Sequence, residues 1–131
     1  MAEFTREEVI AKVEARESLE GVDLNGLDLK NVPLANTNLI GSDLSYTNLR
    51  EADLVGADLR KANLRNANLT NTDLSETNLS QVYLDSASLD HPSVSRKHAR
   101  MNRRENRYYI EDLGSINGVK VNGANADGTE V

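Results

Sequence analysis

Residues 22–91 read VDLNG LDLKN VPLAN TNLIG SDLSY TNLRE ADLVG ADLRK ANLRN ANLTN TDLSE TNLSQ VYLDS ASLDH, and this stretch decides the fold. It contains fourteen consecutive units of five residues, each with Leu at its centre, from Leu24 to Leu89. Ala, Ser, Thr or Val stands two positions before the Leu in every unit but one. Asp or Asn stands one position before it in all units but three, so nearly every unit carries a side chain that favours a bend.

A period of five matches neither the 3.6-residue period of an α-helix nor the two-residue period of a strand. Each unit must therefore contain a turn. We expect the Leu and the small residue two positions before it to point inward, and the other three positions to point outward. Such a core would use one medium-sized side chain many times, which agrees with the scarcity of aromatic residues: one Phe, four Tyr and no Trp.

These units resemble the A(D/N)LXX motif of the pentapeptide-repeat family. The resemblance implies an all-β fold, a right-handed quadrilateral β-helix in which four repeats form one coil. Fourteen repeats would then form about 3.5 coils, with Leu24, Leu44, Leu64 and Leu84 in one inner column. At about 4.8 Å per coil, the solenoid would be roughly 17 Å tall.

Residues 1–21 are predicted to cap the N-terminal end of this solenoid. Thr5 and Glu8 have the spacing of a capping box, which predicts a helix over Arg6–Arg16. Gly21 is expected to end the segment. An ordinary surface helix is the alternative, but we favour a cap because an open solenoid end exposes its core.

The charge is unevenly distributed along a chain whose net charge is −6. Residues 1–90 carry 8 Lys or Arg and 16 Asp or Glu, whereas residues 91–131 carry 7 and 5. The chain has no Cys and only two His, which excludes disulfides and makes a metal site unexpected. No signal-peptide pattern and no apolar run of about 20 residues is present. We expect a cytoplasmic protein that has no contact with a membrane and carries neither a cofactor nor a metal ion.

Residues 92–131 form a third segment with different motifs. An SxxH motif runs from Ser95 to His98, and the sequence DLGSING runs from Asp112 to Gly118. Alternating residues at 108–110 and 119–121 predict short strands, and Asn-Gly at 117–118 and 122–123 predicts turns. This stretch, from about residue 89 to 131, resembles a forkhead-associated (FHA) domain, a β-sandwich that binds phosphothreonine. The resemblance implies a truncated FHA-like segment built around a β-hairpin.

The FHA resemblance also implies roles for four residues. Ser95 and Arg96 would contact the phosphate, Asn117 would bind the peptide backbone, and His98 would be structural, holding loops together. A hydroxyl and a guanidinium suit a phosphate because they donate directed hydrogen bonds to its oxygens.

Three features depart from the FHA pattern. The family has an Arg that anchors the phosphate at a place corresponding to Ser80-Gln81, where this chain has no Arg. Ile116 stands where the family usually has Thr, and the last family strands are missing before Val131. The segment could pack against the last coil, pair with a second copy, or be partly disordered. A recombined reading frame joined at residues 88–90 is a fourth alternative.

We interpret the chain as a non-catalytic interaction or scaffold protein. It would bind a protein partner, and homodimerisation through the C-terminal segment is a second prediction. The first alternative is an adaptor that binds phosphothreonine peptides in a pocket completed by another chain. The second is a DNA mimic that binds a topoisomerase such as gyrase. The basic run from Arg96 to Arg107 is interpreted as a solvated hairpin face, so direct nucleic-acid binding is not expected.

Overall fold

The computed structural model describes residues 2–84 and 87, together with five strand segments in the C-terminal part. Helix α1 spans Arg6–Glu14. The strands are β1 (Ala99–Arg104), β2 (Arg107–Asp112), β3 (Lys120–Val121), β4 (Ala124–Asn125) and β5 (Thr129–Glu130).

The repeats form a solenoid whose coils contain 20 residues each. Parallel bridges join residues 20 positions apart, so that Asp23, Asp43, Asn63 and Tyr83 stack in one column. Four repeats therefore make one coil, and the predicted repeat β-helix is confirmed. Successive coils are joined through single bridge residues rather than long strands, because two of the five residues in each repeat belong to a turn. The right-handed sense stays a prediction.

The central Leu residues fill the interior, as the repeat predicts. From Leu24 to Leu84 each is at most 5 % exposed. The structure adds one member to the series, because Leu19 is fully buried and its backbone N–H donates to the carbonyl of Asn38 at 2.9 Å. The sequence pattern missed Leu19 because the position two before it holds Glu17 instead of a small residue.

Inward-facing hydroxyl groups are satisfied within the backbone of the solenoid. Ser42 donates to the carbonyl of Leu39 at 2.8 Å, and Thr77 donates to the carbonyl of Leu74 at 2.7 Å. A buried hydroxyl without a partner would destabilise the fold by about 1–3 kcal/mol. These bonds explain why Ser and Thr can replace Ala at the small inward position.

From Leu24 to Leu79, each repeat closes with a turn in which the residue two positions after the Leu has a positive φ. The backbone carbonyl of Leu54, for example, accepts a hydrogen bond from the N–H of Ala57 at 3.0 Å. Gly56, between them, has φ 69°, as the third residue of a type II turn requires. The same left-handed conformation recurs at every fifth residue from Arg16 to Gln81.

The Asp and Asn residues brace these turns. The side-chain oxygen Oδ1 of Asp53 accepts a hydrogen bond from the backbone N–H of Val55 at 3.0 Å. The eleven repeats with Asp or Asn before the Leu all have this bond, at 2.9–3.2 Å. The predicted bending role of these side chains is therefore confirmed.

Helix α1 has the predicted capping box. The hydroxyl of Thr5 accepts from the N–H of Glu8 at 3.2 Å, and Glu8 Oε1 accepts from the N–H of Thr5 at 3.3 Å. The helix ends at Glu14, two residues before its predicted end, because Arg16 turns to φ 59°. Gly21, expected to end the segment, has φ 68°, and its N–H donates to the carbonyl of Ile40 in the next coil at 2.8 Å.

Helix α1 lies on the first coil. Val9 is fully buried in the same apolar cluster as the Leu ladder. Two further bonds join this segment to the coil: the N–H of Glu3 donates to the carbonyl of Asp23 at 2.8 Å, and Arg6 Nη1 donates to the carbonyl of Asp28 at 3.0 Å. These contacts are those that the cap interpretation requires.

The C-terminal strands form two small antiparallel sheets. One has the order β1-β2-β5, and the other pairs β3 with β4. Residues 122–123, predicted as a turn, separate β3 from β4 in the sequence. Strands β1 and β2 pair antiparallel, with Ala99 opposite Asp112 and Arg104 opposite Arg107.

Replacing Glu76 with Gly should stabilise the solenoid. Glu76 has φ 59°, a conformation that costs an L-residue about 1–2 kcal/mol. Gly removes that cost but loses about 0.5–1 kcal/mol of chain entropy, so we expect a net gain of about 0.5–1 kcal/mol in urea unfolding. Glu76→Ala removes the same carboxylate and keeps Cβ. An equal gain from Ala would contradict the assignment of strain to this position.

Replacing Asp53 with Ala should lower the free energy of unfolding by about 1 kcal/mol, because the N–H of Val55 loses its acceptor. Asp53→Asn keeps an oxygen at the same position and should have a much smaller effect. Both can be measured by urea unfolding. If Asn destabilised the protein as much as Ala, charge rather than the turn hydrogen bond would explain the role of Asp53.

Candidate functional site

The four residues predicted to form the phosphopeptide site, Ser95, Arg96, His98 and Asn117, lie outside the described residues. Their roles stay predictions. The strands next to them are described, however. The SxxH motif ends directly before β1, and the DLGSING motif starts at the last residue of β2.

The β1–β2 hairpin brings both motif segments to one end. His98 directly precedes β1, and the residues up to Asn117 follow β2. Ala99, the first residue of β1, pairs with Asp112, the last residue of β2. The SxxH and DLGSING motifs are therefore joined to the same end of the hairpin. This is the arrangement that a single peptide-binding site would require.

The solenoid carries a second group of polar residues, at a corner between two faces of the third coil. We call Arg60, Lys61 and Arg65 the basic corner. Arg60 and Lys61 follow Leu59, and Arg65 follows Leu64 in the next repeat, so they lie on consecutive sides of one coil. All three are exposed.

Two members of the basic corner have defined partners. The guanidinium of Arg60 donates to both carboxylate oxygens of Asp58 at 2.7–3.0 Å. This hydrogen bond and the charge of Asp58 raise the pKa of Arg60 above its ordinary value, so Arg60 stays charged. The guanidinium of Arg65 lies over the ring of Tyr83, 4.6 Å from its centroid.

Tyr83 occupies a position where most repeats have Asp or Asn, and it is 48 % exposed. Its backbone forms a parallel β-bridge with Asn63 of the preceding coil. The sequence identified the three cations and the departure at Tyr83, but not that they share one corner. The spacing of 20 residues between Asn63 and Tyr83 is the sequence feature from which their proximity could have been predicted.

The described part of the chain lacks both a metal-binding group and a membrane-spanning helix. There, no group of three or more His, Asp or Glu side chains could hold a metal ion. Over the same residues, no helix has the length and apolar character to cross a membrane.

Two family models match the sequence. The model for pentapeptide repeats matches residues 18–54 and 62–91, with 8 copies. Its start agrees with the structural position of Leu19. The FHA-domain model matches residues 78–130, further upstream than the resemblance from about residue 89 that the motifs alone supported. Residues 78–91 belong to both matches.

Solved structures with a similar chain include the following three. A pentapeptide repeat protein from the thylakoid lumen of Arabidopsis thaliana is 29 % identical, with a TM-score of 0.54, over 62 % of this chain and 57 % of its own. A pentapeptide repeat protein from the cyanobacterium Cyanothece 51142 is 33 % identical, with a TM-score of 0.29, over 57 % and 58 %. A plasmid-mediated fluoroquinolone resistance protein is 18 % identical, with a TM-score of 0.25, over 55 % of each chain.

Of these three, the Arabidopsis structure alone is similar enough in shape to support the fold, and it supports a repeat solenoid. The chain spans less than two thirds of the length of each of these three proteins. No curated protein matches the sequence. Since the repeat model covers half of the chain, this protein belongs to the pentapeptide-repeat family, and an FHA-domain match follows and overlaps its last repeats.

Proposed function

We propose that this protein is a non-catalytic protein-interaction scaffold, in which a solenoid carries an FHA-type recognition segment. The observation that carries the proposal is the overlap of the two family matches over residues 78–91. Because the repeats continue into the FHA match without a linker, the recognition segment would be mounted directly on the last coil.

The interior of the solenoid supports a scaffold rather than a reaction site. Leu and small side chains fill it, and several of its buried hydroxyls, such as those of Ser42 and Thr77, bond to backbone carbonyls. The chemically active side chains of the described coils therefore lie on outward faces, where they are available to a partner.

A more specific candidate is an adaptor for phosphothreonine peptides. It is favoured by the hairpin register, which joins the Ser95–His98 segment and the segment containing Asn117 to the same end of β1 and β2. In this proposal, Ser95 and Arg96 bind the phosphate and Asn117 binds the peptide backbone. Another chain would complete the pocket.

The chain that completes the pocket is more consistent with a different protein than with a second copy of this one. Among the strands that the structure describes, β1 lies at the edge of its three-stranded sheet. It contains Arg100, Arg103 and Arg104, and like charges brought together on neighbouring strands disfavour pairing. A partner with acidic residues would meet this edge favourably, so we propose a heterologous partner over the predicted homodimer.

A DNA mimic is less well supported. Asp53 and Asp73 stack on one face, next to Glu76, but Arg50, Arg60 and Lys61 lie on other faces of the same coils. A mimic needs continuous negative charge along its surface. The fluoroquinolone resistance protein shares too little shape with this chain to support that function.

Replacing Ser95 with Ala should weaken binding of phosphothreonine peptides by about tenfold or more, because a hydrogen bond to a charged phosphate is lost. The full chain is screened against immobilised phosphothreonine peptides, and the tightest is titrated by fluorescence anisotropy. Ser93→Ala is the matched control and should leave the affinity unchanged. If no phosphopeptide binds at millimolar concentration, or if both variants bind equally well, the adaptor proposal is wrong.

A further inference from the structure

The basic corner is a local reversal of charge in an acidic chain. The net charge is −6, yet Arg60, Lys61 and Arg65 lie within six consecutive residues. The nearest acid in that repeat, Asp58, is held by Arg60 through a forked pair. Positive charge at one corner of a negative body favours binding of a small anion there and disfavours long polyanions.

Lys61 is the cation in this group with the fewest constraints. Among the residues that the structure describes, it has no ion-pair partner, and its side chain is exposed. Arg60 is oriented by Asp58, and the Arg65 guanidinium lies over Tyr83. The ammonium group of Lys61 is thus able to move toward a ligand without first breaking a contact.

The corner adjoins the start of the FHA match. The backbone N–H of Lys61 donates to the carbonyl of Ser80 at 3.1 Å, and the N–H of Tyr83 donates to the carbonyl of Ala62 at 3.0 Å. Residues 80–83 therefore stack directly on residues 61–62, one coil away, and belong to the FHA match over 78–130. One coil step is about 4.8 Å, which the flexible four-carbon stem of a Lys side chain can span.

We propose that the basic corner binds the phosphate of a phosphorylated peptide, with Lys61 as its main cation. This inference rests on the adaptor function proposed above. The solenoid would then supply, from the neighbouring coil, the positive charge that the FHA-type segment lacks at Ser80-Gln81. Arg60 and Arg65 flank the phosphate, and the exposed ring of Tyr83 offers a surface for the peptide.

A phosphopeptide fits this surface better than a nucleic acid does. A phosphate on a side chain carries nearly two negative charges and binds to a few cations at one point. Nucleic-acid binding proteins typically neutralise about 6–10 phosphates along a track. The three cations of the basic corner occupy one coil of an acidic chain, so they match a single phosphate.

The test compares Lys61→Gln with Lys30→Gln in the full chain, using the phosphothreonine peptide that the wild-type protein binds most tightly. Lys30 is an exposed cation on the first coil, away from the corner. We expect Lys61→Gln to weaken binding by about tenfold or more. Lys61→Arg, which keeps the positive charge, and Lys30→Gln should both bind as tightly as the wild-type protein. The unphosphorylated peptide should bind all variants weakly and equally.

The outcomes separate this inference from the adaptor proposal. If Ser95→Ala abolishes binding while Lys61→Gln binds as wild type, the adaptor stands and the basic corner is not part of its site. If Lys61→Gln and Lys30→Gln weaken binding equally, only the net charge matters and the inference is wrong. If the wild-type protein binds no phosphopeptide, both proposals are wrong. Thermal unfolding of Lys61→Gln serves to check that the variant is folded.

Discussion

The turn at the end of each repeat is the constraint on which the rest of the structure depends. From Leu24 to Leu79, the residue two positions after each central Leu is left-handed and reverses the backbone. The carbonyl of that Leu accepts a hydrogen bond from the backbone N–H three positions after it. The left-handed residue also donates its own N–H to the next coil, as Gly56 does to the carbonyl of Ser75 at 2.9 Å. One residue therefore sets both the direction of the chain and the spacing of the coils.

This constraint separates the structural side chains from the functional ones. In the described repeats, the turns bring the central Leu residues and most of the small residues inward, so the interior is uniform and the outer positions are free to vary. The variation has a pattern: cations gather at the basic corner, and acids stack along the column that contains Asp53 and Asp73. Because the coils repeat every 20 residues, substitutions far apart in the sequence can build one surface.

The sequence predicted the features that depend on residue type. The Leu ladder, the turn bonds from Asp and Asn, and the capping box of Thr5 and Glu8 all follow from side-chain chemistry that is visible in the sequence. The left-handed positions were harder to predict, because residues such as Tyr46, which disfavours positive φ, occupy some of them. At these positions, packing against the neighbouring coils holds the backbone in the left-handed conformation.

The candidate site was only partly predictable for a related reason. Motifs identified the FHA-type segment, and the strand register explains how its two motifs reach one end of the hairpin. The proximity of Lys61 to Ser80 depends on coil stacking, which becomes visible only when the 20-residue period is applied to outward as well as inward positions.

Deletion of one repeat tests most directly whether the five-residue turn governs this structure. Removing residues 52–56 takes out a complete repeat and leaves the other central Leu residues, as far as Leu79, two residues before a left-handed position. Removing residues 52–57 also takes the small residue of the next repeat, so that Leu59 no longer has its inward neighbour. Urea unfolding followed by circular dichroism should show one cooperative transition for the five-residue deletion and a much weaker or absent transition for the six-residue deletion. Equal stability of the two variants would contradict the account.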